Sequence, residues 1–322
     1  MKRIVRSIGR LIAVVLLVVA VALIGLRAAA AMRETQSADA AAPASGRFVA
    51  TAMGRVFVST AGPADGRPVI LVHGSGAWGG LWGETSAMLA GHGYRAIALD
   101  LPPFGFSDRP ASGDYRRSVQ ARRILALADA MRLERPIIVG HSFGGGPVLE
   151  AAMLAPARFG KIVLVDPALG IDAPVAPLPV YLRSQAVRST LVSAAITNPL
   201  LTRRMLQMLI HRKQRAIPAY VTVLQRPLGR EGTTDSIAAW LPFLVQTDPA
   251  ALSAHSANYR QIALSLAIIW GDRDTVTPLN QLARLHALVP AAPVALLKDV
   301  GHIPQVEDAT QFQAALLTSL TR

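Results

Sequence analysis

The stretch Gly140-His141-Ser142-Phe143-Gly144 constrains this 322-residue chain more than any other. Pro136-Ile137-Ile138-Val139 leads into it, a short β-branched run that reads as a buried strand. After it, Gly145 to Leu154 carries apolar residues at helical spacing. A strand, a one-serine turn and a helix form the context in which Gly-x-Ser-x-Gly presents its serine as a nucleophile. The glycines let the backbone turn tightly, and the helix that follows aims its first amides at any negative charge developing on the serine's reaction partner.

A serine hydroxyl needs a base, and the base needs an orienting acid. Both are to be sought where strands end. Alternation beyond Gly66 places strands at Pro68 to Val72, Arg95 to Leu99, Pro136 to Val139, Ile162 to Val165, Leu266 to Trp270 and Val294 to Leu297. Helical patterns fall at Trp82 to Ala90, Val119 to Leu133, Leu279 to Leu288 and Ala309 to Leu320. Phe48 to Ala52 and Arg55 to Thr60 form a leading antiparallel pair. Near-continuous apolar strands separated by helices predict an α/β fold, its mostly parallel sheet covered on both faces. Ligands of such sheets bind outside the strands' carboxyl ends.

Position then sorts the histidines. His302 follows the last strand on a glycine-bounded loop and is the expected base, whereas His141 should point away from the serine oxygen. The loop Trp270-Gly271-Asp272-Arg273-Asp274 offers two acids, Asp272 and Asp274, and Asp166 ends another strand. An oxyanion hole needs amides: Phe143 supplies one, and Ser75 or Gly76 in His73-Gly74-Ser75-Gly76 the second. That glycine-rich loop lacks the endings of phosphate- or dinucleotide-binding motifs.

Residues 171–259 show no clear strand but several helical patterns, at Leu191 to Ile196, Leu201 to Ile210, Ala216 to Leu224 and Ile237 to Val245. This predicts a helical cap over the strand ends, inserted into a core of residues 47–170 and 260–322. Leu206, Met208, Leu209, Trp240, Leu241 and Phe243 supply either a cavity lining or the cap's own packing face. Arg203, Arg204, Arg212, Lys213 and Arg215 read as a solvated or membrane-facing stripe.

The formal charge of +13 is partly a targeting feature: six basic residues and no acid precede Glu34, which leaves +7 for the remainder. Leu11 to Leu26 is an unbroken apolar run. Sixteen residues span only ~24 Å of a ~30 Å hydrocarbon core, but extension to Met32 reaches across. Residues 1–33 are thus a signal-anchor or a cleaved signal peptide, with the remainder exported to the outer side of the cytoplasmic membrane. Residues 34–46 have the composition of a flexible tether. At 5% aromatics, nothing points to a nucleic-acid partner. Cysteine is absent, so disulfides and thiolate metal sites do not arise, and no metal or organic cofactor is implied.

Taken together, His73-Gly74-Ser75-Gly76, Asp100-Leu101-Pro102-Pro103-Phe104-Gly105-Phe106-Ser107-Asp108, Gly140-His141-Ser142-Phe143-Gly144-Gly145, Gly271-Asp272-Arg273-Asp274 and Gly301-His302 resemble the α/β-hydrolase superfamily. The likeness lies with its capped branch of esterases, epoxide hydrolases, haloalkane dehalogenases and carbon–carbon bond hydrolases. It runs over roughly residues 47–322, with the cap matched by position alone. The resemblance implies Asp274, three residues after the loop glycine, as the acid. Epoxide hydrolases and dehalogenases carry an aspartate where this chain has Ser142, which argues against both. Pro103 departs from the glycine usual in relatives. The expected protein is an esterase-like serine hydrolase of a small apolar substrate, its triad Ser142, His302 and Asp274. A carbon–carbon bond hydrolase or acyltransferase would use the same residues, and a non-catalytic binding module is the alternative of another class.

Overall fold

The computed structural model describes residues 2–175 and 177–321. Its strands are β1 (Gly46–Thr51), β2 (Gly54–Ala61), β3 (Arg67–Val72), β4 (Tyr94–Leu99), β5 (Ile137–His141), β6 (Lys161–Val165), β7 (Leu266–Gly271) and β8 (Val294–Leu297). They form one sheet in the order β1-β2-β4-β3-β5-β6-β7-β8. β1 and β2 pair antiparallel, β2 meets β4 antiparallel, and every later pairing is parallel.

The sequence dictates this burial through its period of two. Ile70 and Val72 of β3, Ile97 and Leu99 of β4 and Ile138 of β5 join one apolar layer. Val69, Leu71, Ala96, Ala98, Ile137 and Val139 join the other. Both sides of these strands are therefore buried, and helices must cover both. The helices are α1 (Lys2–Arg33), α2 (Ala38–Ala41), α3 (Gly83–Gly91), α4 (Arg117–Ala130), α5 (Gly145–Leu154), α6 (Gln185–Ala194), α7 (Thr202–Leu209), α8 (Pro218–Gln225), α9 (Thr233–Val245), α10 (Leu279–Leu288), α11 (Pro304–Glu307) and α12 (Ala309–Thr321). Ile124 and Leu127 of α4, Val148 and Leu149 of α5 and Leu285 of α10 cover the first layer. Leu89 of α3 and Phe312 and Leu316 of α12 cover the second.

Helices α6 to α9 interrupt the alternation between β6 and β7 and lie over the strand ends. An aromatic lock fixes them there. Trp240 of α9 meets Phe104 edge to face at 4.9 Å and Phe143 at 5.4 Å, so the cap rests on the residue that follows Ser142. Such pairs contribute about 0.5–1.5 kcal/mol each beyond their burial.

Two features of the amino-terminal region bear on the cap. Helix α1 is exposed from Arg6 to Ala22, but Ala30 is buried and Leu23, Leu26, Arg27 and Arg33 are half-buried. That spacing is one helical face, and α6 is what it packs against. Residues 34–46 have a tether's composition yet lie against the fold, because their polar groups find partners on the cap and hairpin. Glu34 accepts the Thr234 amide (3.0 Å) and hydroxyl, Gln36 accepts the Glu231 amide (2.8 Å), and Asp39 pairs with Arg55 (2.9 Å). Composition alone does not reveal such partners.

Candidate active site

Ser142 stands at the turn out of β5 with φ +51°, in the left-handed region where a residue with a Cβ is uncommon. The flanking glycines make the turn possible. A Cβ on Gly140 would lie 2.8 Å from the Gly144 carbonyl oxygen, and one on Gly144 would lie 2.6 Å from that of His73. The serine is thus pressed between β5 and the end of β3, in a 3-10 turn (Ser142–Gly144) that runs into α5. The Phe143 amide lies in the first turn of that element, where amides lack intrahelical partners.

The three residues expected from distant parts of the chain converge. Ser142 Oγ is 2.7 Å from His302 Nε2, and His302 Nδ1 is 2.7 Å from Asp274 Oδ2. Asp274 is itself held: Oδ1 accepts the amides of Val276 (2.7 Å) and Thr277 (3.0 Å), and Oδ2 accepts the Thr277 hydroxyl (2.6 Å). Burial pushes its carboxyl up, but the hydrogen bonds from His302 and Thr277 outweigh this, and the group sits below the usual carboxylate range. An ionised Asp274 requires the proton on Nδ1. That assignment leaves Nε2 free to accept from the serine.

The other candidates fall elsewhere. Asp272 accepts the Val300 amide at 3.3 Å and lies 3.9 Å from the Arg273 guanidinium, outside the relay. Asp166, at φ +42° just after β6, accepts the Gly271 amide at 2.8 Å. Burial, then the charge of Asp274, raises its carboxyl well above the ordinary range, so it faces Asp274 as a neutral acid. His141 points away from the serine, donating from Nε2 to the His302 carbonyl at 2.7 Å. Burial lowers its imidazole to about 3 and that of His73 to about 4, so both are neutral. His73 donates to the Gly74 carbonyl and accepts the Leu101 amide (2.9 Å), bracing the loop that carries Ser75.

Ser75 and Gly76 border the cavity beside Ser142, and Gly76 has φ +72° with open space around it. The cavity measures about 140 Å³ and is walled by Leu206 and Leu209 of α7, Leu224, Leu228, Ile237 and Ile303, with Pro103 and Phe104 beneath. Of the two alternatives, Leu206 and Leu209 take the cavity lining. Met208 is exposed instead, and Trp240 belongs to the aromatic lock. The residues lining the cavity include no lysine or arginine. A second, more polar cleft also reaches Ser142, with Arg116 and Arg117 on its rim. Both are engaged, Arg116 by Asp114 (2.6 Å) and Arg117 by the Leu169 carbonyl (2.6 Å).

Two supporting residues escaped sequence reasoning. Thr277 clamps Asp274, and only an Asp-x-x-Thr spacing typical of local turns hints at it. Buried Glu307 accepts the amides of Gly301 (2.9 Å), His211 (3.0 Å) and Arg212 (2.6 Å), tying the His302 loop to the cap. Its partners are unreachable from any motif. The His302 amide adds a bond to the Leu209 carbonyl at 3.0 Å.

A strand–turn–helix serine, a histidine after the last strand and an acid after β7, on a sheet of this order, define an α/β-hydrolase. Residues 67–309 match the sequence profile of the alpha/beta hydrolase fold, and the chain belongs to that family. It is similar to the 2-hydroxymuconate semialdehyde hydrolase of Pseudomonas putida, 28% identical over 252 residues that cover 77% of this chain and 85% of that protein. Among solved structures it resembles a meta-cleavage product hydrolase from Pseudomonas fluorescens IP01 (TM-score 0.69, 24% identity, 85% of this chain and 97% of the other). It also resembles a membrane phospholipase A, with a TM-score of 0.65 and 23% identity over the whole of both chains, a likeness of fold. The protein is thus an enzyme of the hydrolase class.

Proposed function

We propose that this hydrolase cleaves neutral, apolar acyl esters through Ser142, His302 and Asp274, and that α1 anchors it in a membrane. The observation that carries the reading is the 2.7 Å contact of Ser142 Oγ with His302 Nε2 on the wall of an apolar cavity that holds no cation. In the first half-reaction the Ser142 hydroxyl gives its proton to His302 Nε2 as Oγ bonds to the ester carbonyl carbon. Asp274 stabilises the imidazolium, and the amides of Phe143 and of Ser75 or Gly76 receive the oxyanion. His302 then returns the proton to the leaving alkoxide as the C–O bond breaks. Water, deprotonated by His302, releases the acid from the acyl-enzyme and restores the serine. A volume of about 140 Å³ holds roughly ten water positions, which suits an acyl chain of modest length.

The relationship to 2-hydroxymuconate semialdehyde hydrolase supports a second reading, carbon–carbon bond hydrolysis by the same residues. A muconate-derived substrate carries a carboxylate, however. The cavity has no cation for it; in the neighbouring cleft Arg116 is paired with Asp114 and Arg117 is hydrogen-bonded to the Leu169 carbonyl. Desolvating an unpaired carboxylate costs several kcal/mol. Hydrolysis of p-nitrophenyl esters of increasing chain length separates the readings, since an ester hydrolase should turn over a short or medium chain well. Ser142→Ala should lower that turnover by about 10⁶ and abolish labelling by a fluorophosphonate. Undiminished hydrolysis in this variant would refute the assignment.

A further inference from the structure

Helix α1 does not simply tether the catalytic domain; its last three turns fix the cap's orientation. Arg27 pairs with Asp235 at 2.8 Å, and the same carboxylate oxygen accepts the hydroxyl of Ser189 at 2.7 Å. Seven residues on, Glu34 accepts the Thr234 amide, and the Thr234 hydroxyl meets that of Thr197 at 2.8 Å. Advancing from Arg27 to Glu34 therefore advances from Ser189 to Thr197: α1 and α6 run side by side in the same direction. The apolar half of α1, unpacked upstream of Leu23, must leave the domain past the amino end of α6.

What lies at that end is unusual for a soluble surface. Val180 and Tyr181 are 74% and 64% exposed, Arg183 is exposed beside them, and Val187 on the first turn of α6 is exposed as well. Isolated exposed apolar residues are ordinary. Here they cluster beside an emerging apolar helix, with a tyrosine and an arginine of the kinds that sit at headgroup level. The charge agrees: residues 173–230 hold no acidic side chain, and Arg183 stands exposed within the patch. Such a surface complements an anionic lipid layer.

We infer that Val180–Val187 is a second membrane contact, seated in the outer-leaflet interface beside the anchor, with anionic phospholipid as its partner. The inference rests on the reading of α1 as a membrane span. Burying Val180, Tyr181 and Val187 in the headgroup boundary holds the cap close against the bilayer.

The chain lacks cysteine, so single-cysteine variants of the full protein carry one fluorophore each. Val18→Cys probes the span, Tyr181→Cys the contact, and Thr318→Cys on the exposed face of α12 the far side of the fold. Each is labelled with an environment-sensitive dye in vesicles of phosphatidylcholine and phosphatidylglycerol containing both a shallow and a deep nitroxide-labelled lipid. The expected result is loss of fluorescence at Val18 and Tyr181 and none at Thr318. Quenching at Val18 with Tyr181 as bright as Thr318 would overturn the second contact and leave the anchor standing. No quenching at Val18 would instead remove the membrane span on which the inference depends, and the inference with it.

Discussion

Replacing Asp274 by asparagine tests the relay at its most determined point. The side chain is held at both oxygens, and the two differ. Oδ1 receives two backbone amides, from Val276 and Thr277, whereas Oδ2 faces His302 Nδ1 and the Thr277 hydroxyl. An asparagine must keep its carbonyl oxygen on the two amides. The flipped rotamer would set its NH₂ against two donors and strand them, at about 1–3 kcal/mol each. The NH₂ therefore points at His302 Nδ1. That nitrogen must accept, the ring's proton moves to Nε2, and Nε2 no longer takes the proton of Ser142. A wrong tautomer with intact geometry costs about 10⁴ in kcat, or about 5.5 kcal/mol of transition-state stabilisation. KM for a p-nitrophenyl ester should change little, because the acyl cavity is untouched. Asp272→Asn is the matched control: it keeps an acceptor for the Val300 amide and loses only a half-exposed attraction at 3.9 Å, worth about 0.5 kcal/mol. Steady-state kinetics of both variants decide the matter. A Asp274→Asn enzyme within tenfold of the parent, or an Asp272→Asn enzyme more impaired than it, would refute the reasoning.

Thr277→Val removes one hydroxyl from Asp274 and should lower kcat a few-fold, by the roughly 1 kcal/mol of a single hydrogen bond; an unchanged kcat would show that the two amides alone position the acid. Asp166, whose carboxyl is raised, holds a proton in the folded chain that the unfolded chain releases at ordinary carboxylate pH, so stability is lost as pH rises toward its folded value. Asp166→Asn, isosteric with the neutral acid, should therefore show a denaturation midpoint that exceeds the parent's increasingly above about pH 4; a variant less stable than the parent at pH 8 would mean the carboxylate is used in its charged form. Gly144→Ala drives a methyl to 2.6 Å from the His73 carbonyl oxygen and should cost both stability and activity, and a parental denaturant midpoint would refute the close packing of the turn.

What the sequence made legible is what local chemistry dictates. Period-two strands, the glycine-flanked serine and the histidine after the last strand each carry their signal within a few residues, and their places in the fold agree with it. The choice between Asp272 and Asp274 did not come from local chemistry, since both sit on one turn and both suit it. What separates them is the direction of the side chains around Gly271, which is a property of the folded loop. Glu307 and Glu34 were illegible for another reason. Each joins amides from a different element, the cap's α7–α8 connection in one case and the start of α9 in the other. Nothing in the spacing of either residue records a partner some 96 or 200 positions away.

Those long-range carboxylates give the cap its relation to the chemistry. Glu34 follows α1 directly and closes on Thr234, while Ile237, one turn further along α9, lines the cavity and Trp240 rests on Phe143. From the other side, Glu307 and the Leu209 carbonyl hold the His302 loop to the end of α7, which supplies Leu206 and Leu209 to the same wall. The cap is therefore not hinged at a single connection. It is bonded to the loop that positions His302 at one end and to the end of α1 at the other. Any motion that opens the cavity must break buried charge-assisted bonds at one of these ends, worth about 1.5–3 kcal/mol each. At the α1 end Glu34 holds Thr234, Arg27 holds Asp235 and Gln36 holds the Glu231 amide; at the other end Glu307 holds the amides of His211 and Arg212, and the His302 amide holds the Leu209 carbonyl. Neither end is free, so the geometry the reaction requires at His302 is maintained from both sides.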